Sequence, residues 1–142
     1  MDQIEHKIVV GSELHIVSVK ADKIDGKDHI LVDDLIDQQK KLACKLLDKS
    51  ESFDIGLFNF AMDVSGKKGI EIASMLKTNP ANISQIRRGK NPPSASLWML
   101  FRIVMHSHLS NTEGQRAIDK IIYESGKQIA EFEIIVQKTV VI

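Results

Sequence analysis

The apolar residues of this chain change their period near Asp33, and that change fixes the fold class. Before it, β-branched residues dominate from Ile4 to Val10 and again from Leu14 to Lys20, where Leu14 and Ile16 alternate with Glu13 and His15. Gly11-Ser12 suits the centre of a type II′ turn, and Asp25-Gly26 that of a type I′ turn, whose central residues both need positive φ. Ile30 to Val32 reads as a short third strand. After the change, Leu31, Leu35, Leu42 and Leu46 recur at three-to-four spacing, as do Val32, Ile36, Ala43 and Leu47. That is an amphipathic helix ending near Lys49. A small hairpin sheet is marginal alone and needs a partner. The expected class is α+β, mainly α.

The middle of the chain predicts a cluster of short helices. Asp54 can cap a helix carrying Leu57, Phe58, Ala61 and Met62 that stops at Ser65-Gly66. A second runs from Gly69 to Leu76, and Thr78-Asn79-Pro80 breaks it. Asn79 suits the N-cap, and Pro80 the first turn, of a third helix that ends before Gly89. Asn91-Pro92-Pro93 is a stop, and Ser94 can cap a fourth helix bearing Leu97, Leu100, Phe101 and Val104. Ser110-Asn111-Thr112-Glu113 fits a capping box for a helix striped with Ala117, Ile118, Ile121 and Ile122, terminated by Gly126. From Ile129 the period turns to two, and the chain reads as a strand to Ile142. The expected organisation is a β meander over 1–32, a connecting helix over 33–50, a helical domain over 53–109, and a C-terminal helix and strand over 110–142 serving dimerisation. About five helices would pack with a small antiparallel sheet made from the N- and C-terminal strands.

Composition narrows the function. The chain has 142 residues, 43% of them apolar, enough for one domain's core. No apolar run reaches the roughly 18 residues of a membrane span, and no basic-then-apolar leader follows Met1. A cytoplasmic protein is expected. The lone Cys44 excludes an internal disulfide or a multi-cysteine zinc site and reads as a small core hydrophobe. His106-x-His108 is placed in the loop after the fourth helix rather than on a metal, and no Asp/Glu/Cys/His cluster has metal spacing. Phosphate-loop and dinucleotide glycine patterns are absent. The tail after Ser110, about 30 residues, is too short for the protease domain of a self-cleaving repressor. An enzyme is not expected, and neither is a cofactor.

The informative stretch is Lys68 to Lys90, KGIEIASMLKTNPANISQIRRGK. Two short helices about a tight turn make a helix-turn-helix pattern. Ala73 is small enough for the helices to cross there. Ile72, Met75 and Leu76 face inward from the first helix, and Ile83 and Ile86 from the second. That leaves Ala81, Asn82, Ser84, Gln85 and Arg88 as candidates to read base edges in a major groove. Asn and Gln can pair with adenine, Arg with guanine, and Ala81 can touch a thymine methyl. Lys67, Lys68, Asn79, Arg87 and Lys90 suit phosphates, which set register without reading sequence. The helix start at Pro80 also favours an anion through its dipole. Net charge is zero, with 19 basic and 19 acidic residues, which at first argues against nucleic acid. Yet between Val64 and Met105 seven basic residues meet one acid, Glu71, giving +6 and leaving −6 elsewhere.

On Ala73, the Asn79-Pro80 turn, Ile83-Ser84 and Arg88-Gly89, the stretch resembles the Cro/repressor (Xre-like) helix-turn-helix, and within it the MqsA-type antitoxins over roughly Leu31 to Val104. The resemblance implies a homodimer that binds a palindromic DNA operator, with the central reading side chain falling on Gln85. It also implies a transcriptional repressor of its own operon. The departures are specific. The zinc-binding cysteines of those antitoxins are missing, Lys77 stands where glycine is usual, and Arg87 stands where glutamate is common. The rival implication is an antitoxin whose first task is sequestering a protein toxin through the N-terminal strands.

Overall fold

The structure is a computed structural model and describes residues 2–110. β1 (Asp2–Val10), β2 (Glu13–Ile24) and β3 (Lys27–Ile30) form an antiparallel sheet in the order β1-β2-β3. Among the described residues five helices follow: α1 (Val32–Lys49), α2 (Ile55–Ser65), α3 (Gly69–Met75), α4 (Pro80–Arg87) and α5 (Ala95–Ser110). The class is α+β, mainly α. Among the described residues the sheet contains only N-terminal strands, and the C-terminal helix and strand expected beyond Ser110 lie outside the described residues.

Both hairpins close with two-residue turns, pairing Val10 with Glu13 and Ile24 with Lys27. Asp25 and Gly26 both take positive φ, as a type I′ turn requires. The first turn fixes which face of β2 is inward. Pairing Val10 with Glu13 puts Ile8 opposite His15 and His6 opposite Val17, all on one face. Ile8, Val10, Val19 and Ala21 are buried there, whereas Leu14 and Ile16 face outward, over half exposed. The third strand also differs from the expected 30–32. It ends at Ile30, and Val32 already begins α1, because β2 recruits the helix start directly. Leu31 N–H donates to the Lys20 carbonyl at 3.0 Å, and Lys20 N–H donates to the Asp34 carboxylate at 2.7 Å. Asp34 thus covers a strand edge that the short β3 leaves open. The expected α1 stripe is buried only from Leu42 onward, at Leu42, Ala43 and Leu47, while Val32 and Ile36 are exposed.

The sheet joins the helices through β2 against α1 and β1 against α2. A single core runs from Ile8 and Val10 through every helix to Leu109. Its centre is aromatic: Phe58 stacks on Phe101 at 4.4 Å, Phe101 on Trp98 at 5.5 Å, and Phe53 meets Trp98 edge-on at 5.3 Å. The Trp98 indole N–H donates to the Ser50 carbonyl at 3.2 Å, and the side chain is buried in the core. Cys44 is half-buried, its thiol 3.8 Å from the His106 carbonyl. Burial, with Asp48 adding to it, pushes the thiol above its usual pKa and keeps it protonated.

The caps form where the sequence puts them. Asp54 accepts from Leu57 N–H at 3.1 Å, Asn79 from Asn82 N–H at 2.7 Å, and Ser94 from Leu97 N–H at 3.1 Å. One expected stop does not. α5 continues through His106 and His108 because neither glycine nor proline interrupts it before Ser110. The two rings part company: His106 lies 3.1 Å from Asp48, and His108 lies 3.4 Å from the Ser65 carbonyl.

One backbone contact ties the hairpin to α2. A Cβ built on Gly56 would lie 2.5 Å from Gly11 Cα and 2.8 Å from Gly11 N. Both partners are main chain, so a side chain there must push the first hairpin off α2. Gly56→Ala should therefore destabilise the protein by about 1–3 kcal/mol, the usual cost of overpacking, read as a lowered urea midpoint; an unchanged midpoint would show that the hairpin does not bear on α2.

Candidate nucleic-acid interface

α3 and α4 are seven and eight residues long, too short to persist alone. Burial holds them. Ile72, Ala73, Met75 and Leu76 from α3 and the turn, and Ile83 and Ile86 from α4, are at most 5% exposed. The four residues 76–79 reverse the chain. Lys77 sits there at φ 56, the left-handed conformation in which glycine is more usual, and Thr78 N–H donates to the Ala73 carbonyl at 3.0 Å. The turn thus keeps its shape without glycine.

With Ile83 and Ile86 inward, helical geometry turns Ala81, Ser84, Gln85 and Arg88 away from the core, while Asn82, four residues before Ile86, lies at the edge of the apolar side. Ala81 and Arg88 are exposed, and the other three are half-buried. Several are already engaged. Asn82 donates its amide N–H to Thr78 Oγ1 at 2.9 Å. Arg88 Nε lies 3.3 Å from the Ser84 carbonyl. Gln85 Oε1 accepts from Asn91 Nδ2 at 2.6 Å.

The basic residues divide into two sets. Arg87 meets the Asp63 carboxylate at 2.7 Å, so much of its charge is answered within the fold. Arg102 turns away from this face. It donates to the Leu47 and Asp48 carbonyls at 2.7 and 3.1 Å, closing the C-terminal end of α1. Lys67 is 4.0 Å from Glu71, a weak pair one helical turn on. Among the described residues, Lys68, Lys77, Arg88 and Lys90 make no ion pair, and all four are exposed. The usable positive charge is thus smaller than the count along the sequence, and it is concentrated around α4. Asn79 is a cap first: its carbonyl oxygen holds the first turn of α4, leaving only its amide N–H groups for a phosphate.

Three contributors were not singled out from the sequence. Asn59, on α2, donates to the Arg87 carbonyl at 3.1 Å and anchors the C-terminal end of α4. Asp63 lies one residue outside the basic window. Asn91 read only as part of the proline stop. No local pattern marks any of them, since each acts across a fold contact or a turn. Among the described residues no group of three His, Cys, Asp or Glu could hold a metal ion, and no helix is long and apolar enough to cross a membrane. Compared with family models, curated proteins and solved structures, the chain matches none.

The capping role of Asn79 has a direct consequence. Asn79→Ala should cost about 0.5–2 kcal/mol, the usual loss for an N-cap, seen as a lowered thermal midpoint. Asn79→Asp should keep the midpoint, since a carboxylate accepts the same bond and suits the helix dipole. Equal losses in both variants would contradict the assignment.

Proposed function

We propose that this protein is a sequence-specific DNA-binding transcriptional regulator, a repressor that binds an inverted-repeat operator as a homodimer and acts in the cytoplasm. The observation that carries the reading is the division of α4. Ile83 and Ile86 are 1% exposed, and the opposite side groups hydrogen-bonding side chains with the unpaired cations Arg88 and Lys90. A helix held by its apolar side, with short polar side chains outward and cations at its edges, has the chemistry a major groove requires. The likeness to the Xre-like helix-turn-helix supports the same reading through Ala73, Asn79-Pro80 and Arg88-Gly89. For the dimer, α5 offers Met99 and Ile103, one turn apart and 58% and 56% exposed. Repression follows from occupancy: a dimer seated on its operator excludes other proteins from that DNA.

A second reading, an antitoxin that also sequesters a protein toxin, is favoured by one observation. Val9, Leu14 and Ile16 stand 56–65% exposed on the outer face of the sheet, where a protein partner would gain by covering them.

The test is quantitative. On the duplex best bound from a randomised pool, Gln85→Ala should lose about 1–3 kcal/mol of affinity and relax preference at one position per half-site. Lys90→Ala should weaken binding to all sequences and reduce the salt slope by about 1. Fluorescence anisotropy across a salt series reads both effects. If both variants bind as the wild type does, α4 is not the reader.

A further inference from the structure

The end of α4 does more than stop the helix. Lys90 N–H donates to the Gln85 carbonyl at 2.9 Å and Gly89 N–H to the Ile86 carbonyl at 3.0 Å. Gly89 takes φ 75, and a Cβ there would also meet Ile55 Cδ1 at 3.1 Å. This paired closure folds the chain back over the last helical turn. It brings Asn91 onto the side chain of Gln85, and Pro92 narrows the backbone choices of Asn91. Asn91 Nδ2 then donates to Gln85 Oε1 at 2.6 Å. Gln85 Nε2 has no partner among the described residues and keeps both N–H donors.

We propose that Asn91 is a positioning residue that holds the Gln85 amide with its nitrogen toward the groove, so that the base under Gln85 is guanine. This rests on the reading of α4 as the base-reading helix. A free glutamine offers an acceptor and a donor, and so pairs bidentately with adenine, which shows an N6 donor beside an N7 acceptor. Here the bond from Asn91 uses one of the two lone pairs on Oε1 and turns that oxygen toward the end of α4, while both Nε2 donors are left. Guanine shows two acceptors, N7 and O6, and suits an amide held with its donors toward the groove. Asn91 touches Gln85 rather than the base, and sets specificity through it.

The experiment uses the full chain and the best-bound duplex from a randomised pool, with all four base pairs placed in turn at each position of a half-site. The position under Gln85 is the one whose preference disappears in Gln85→Ala. There the wild type should favour guanine over adenine by on the order of tenfold. Asn91→Ala frees Oε1 and should bring adenine level with or above guanine at that position alone. Asn91→Asp can only accept, so it should turn the amide round and favour adenine and cytosine, the bases that carry amino donors in the major groove. Its added negative charge lowers affinity for every duplex alike and leaves that ranking readable. A wild-type preference for adenine overturns the inference and leaves α4 as the reader, as does an Asn91→Ala profile identical to the wild type. A Gln85→Ala variant with no altered position overturns both.

Discussion

The inward placement of Ile83 and Ile86 is the constraint on which the candidate interface depends. α4 has eight residues and cannot hold its shape by hydrogen bonding alone. Two isoleucines, three residues apart and 1% exposed, fix its rotation about its own axis. Once that rotation is set, Gln85 and Arg88 have only one side on which to lie. Burial of the two side chains contributes about 1.5–3 kcal/mol each, more than any hydrogen bond on the polar side. Asn79 closes one end of the helix and Gly89 the other, while Asn59 fastens the Arg87 carbonyl at its C-terminal end to α2. Apolar burial therefore orients the helix, and polar contacts trim its ends.

The rest of the fold supports that arrangement from behind. The aromatic stack from Phe53 through Trp98 and Phe101 to Phe58 locks α5 against α2. Arg102 binds α5 to the end of α1, which takes one cation out of the apparent basic window. Arg87, paired with Asp63, is largely a second. What remains free is a small set around α4: Lys68, Lys77, Arg88 and Lys90. With zero net charge, long-range attraction to DNA is weak. Under the proposed function, docking would depend on correct seating of this face, which favours a selective binder over a non-specific one.

Much of the fold was legible because its signals are local. Asp54, Asn79 and Ser94 cap the helices they precede, and Asp25-Gly26 makes the turn its chemistry demands. Lys77 stands at the turn position where glycine is usual, and it takes the positive φ that glycine would. What was hidden depended on distant partners. The inward face of β2 follows from pairing with β1, and both faces carry apolar residues, so Leu14 and Ile16 mislead. The continuation of α5 past His108 reflects the lack of a breaker, which the histidine pair obscured. The candidate site divides the same way. The polar side of α4 was legible from its apolar period. The occupation of Arg87, Arg102 and Asn82, and the hold of Asn91 on Gln85, depend on side-chain meetings that no spacing rule encodes.

The central claim is that α4 reads a major groove as one half of a symmetric pair. Selection of bound sites by the full-length protein from a pool of randomised duplex DNA tests it most directly. The account requires an enriched inverted repeat, with half-site centres about one helical turn, roughly 10 base pairs, or a multiple of it apart. A pool that shows no enrichment, or enriches a single asymmetric site, would contradict it.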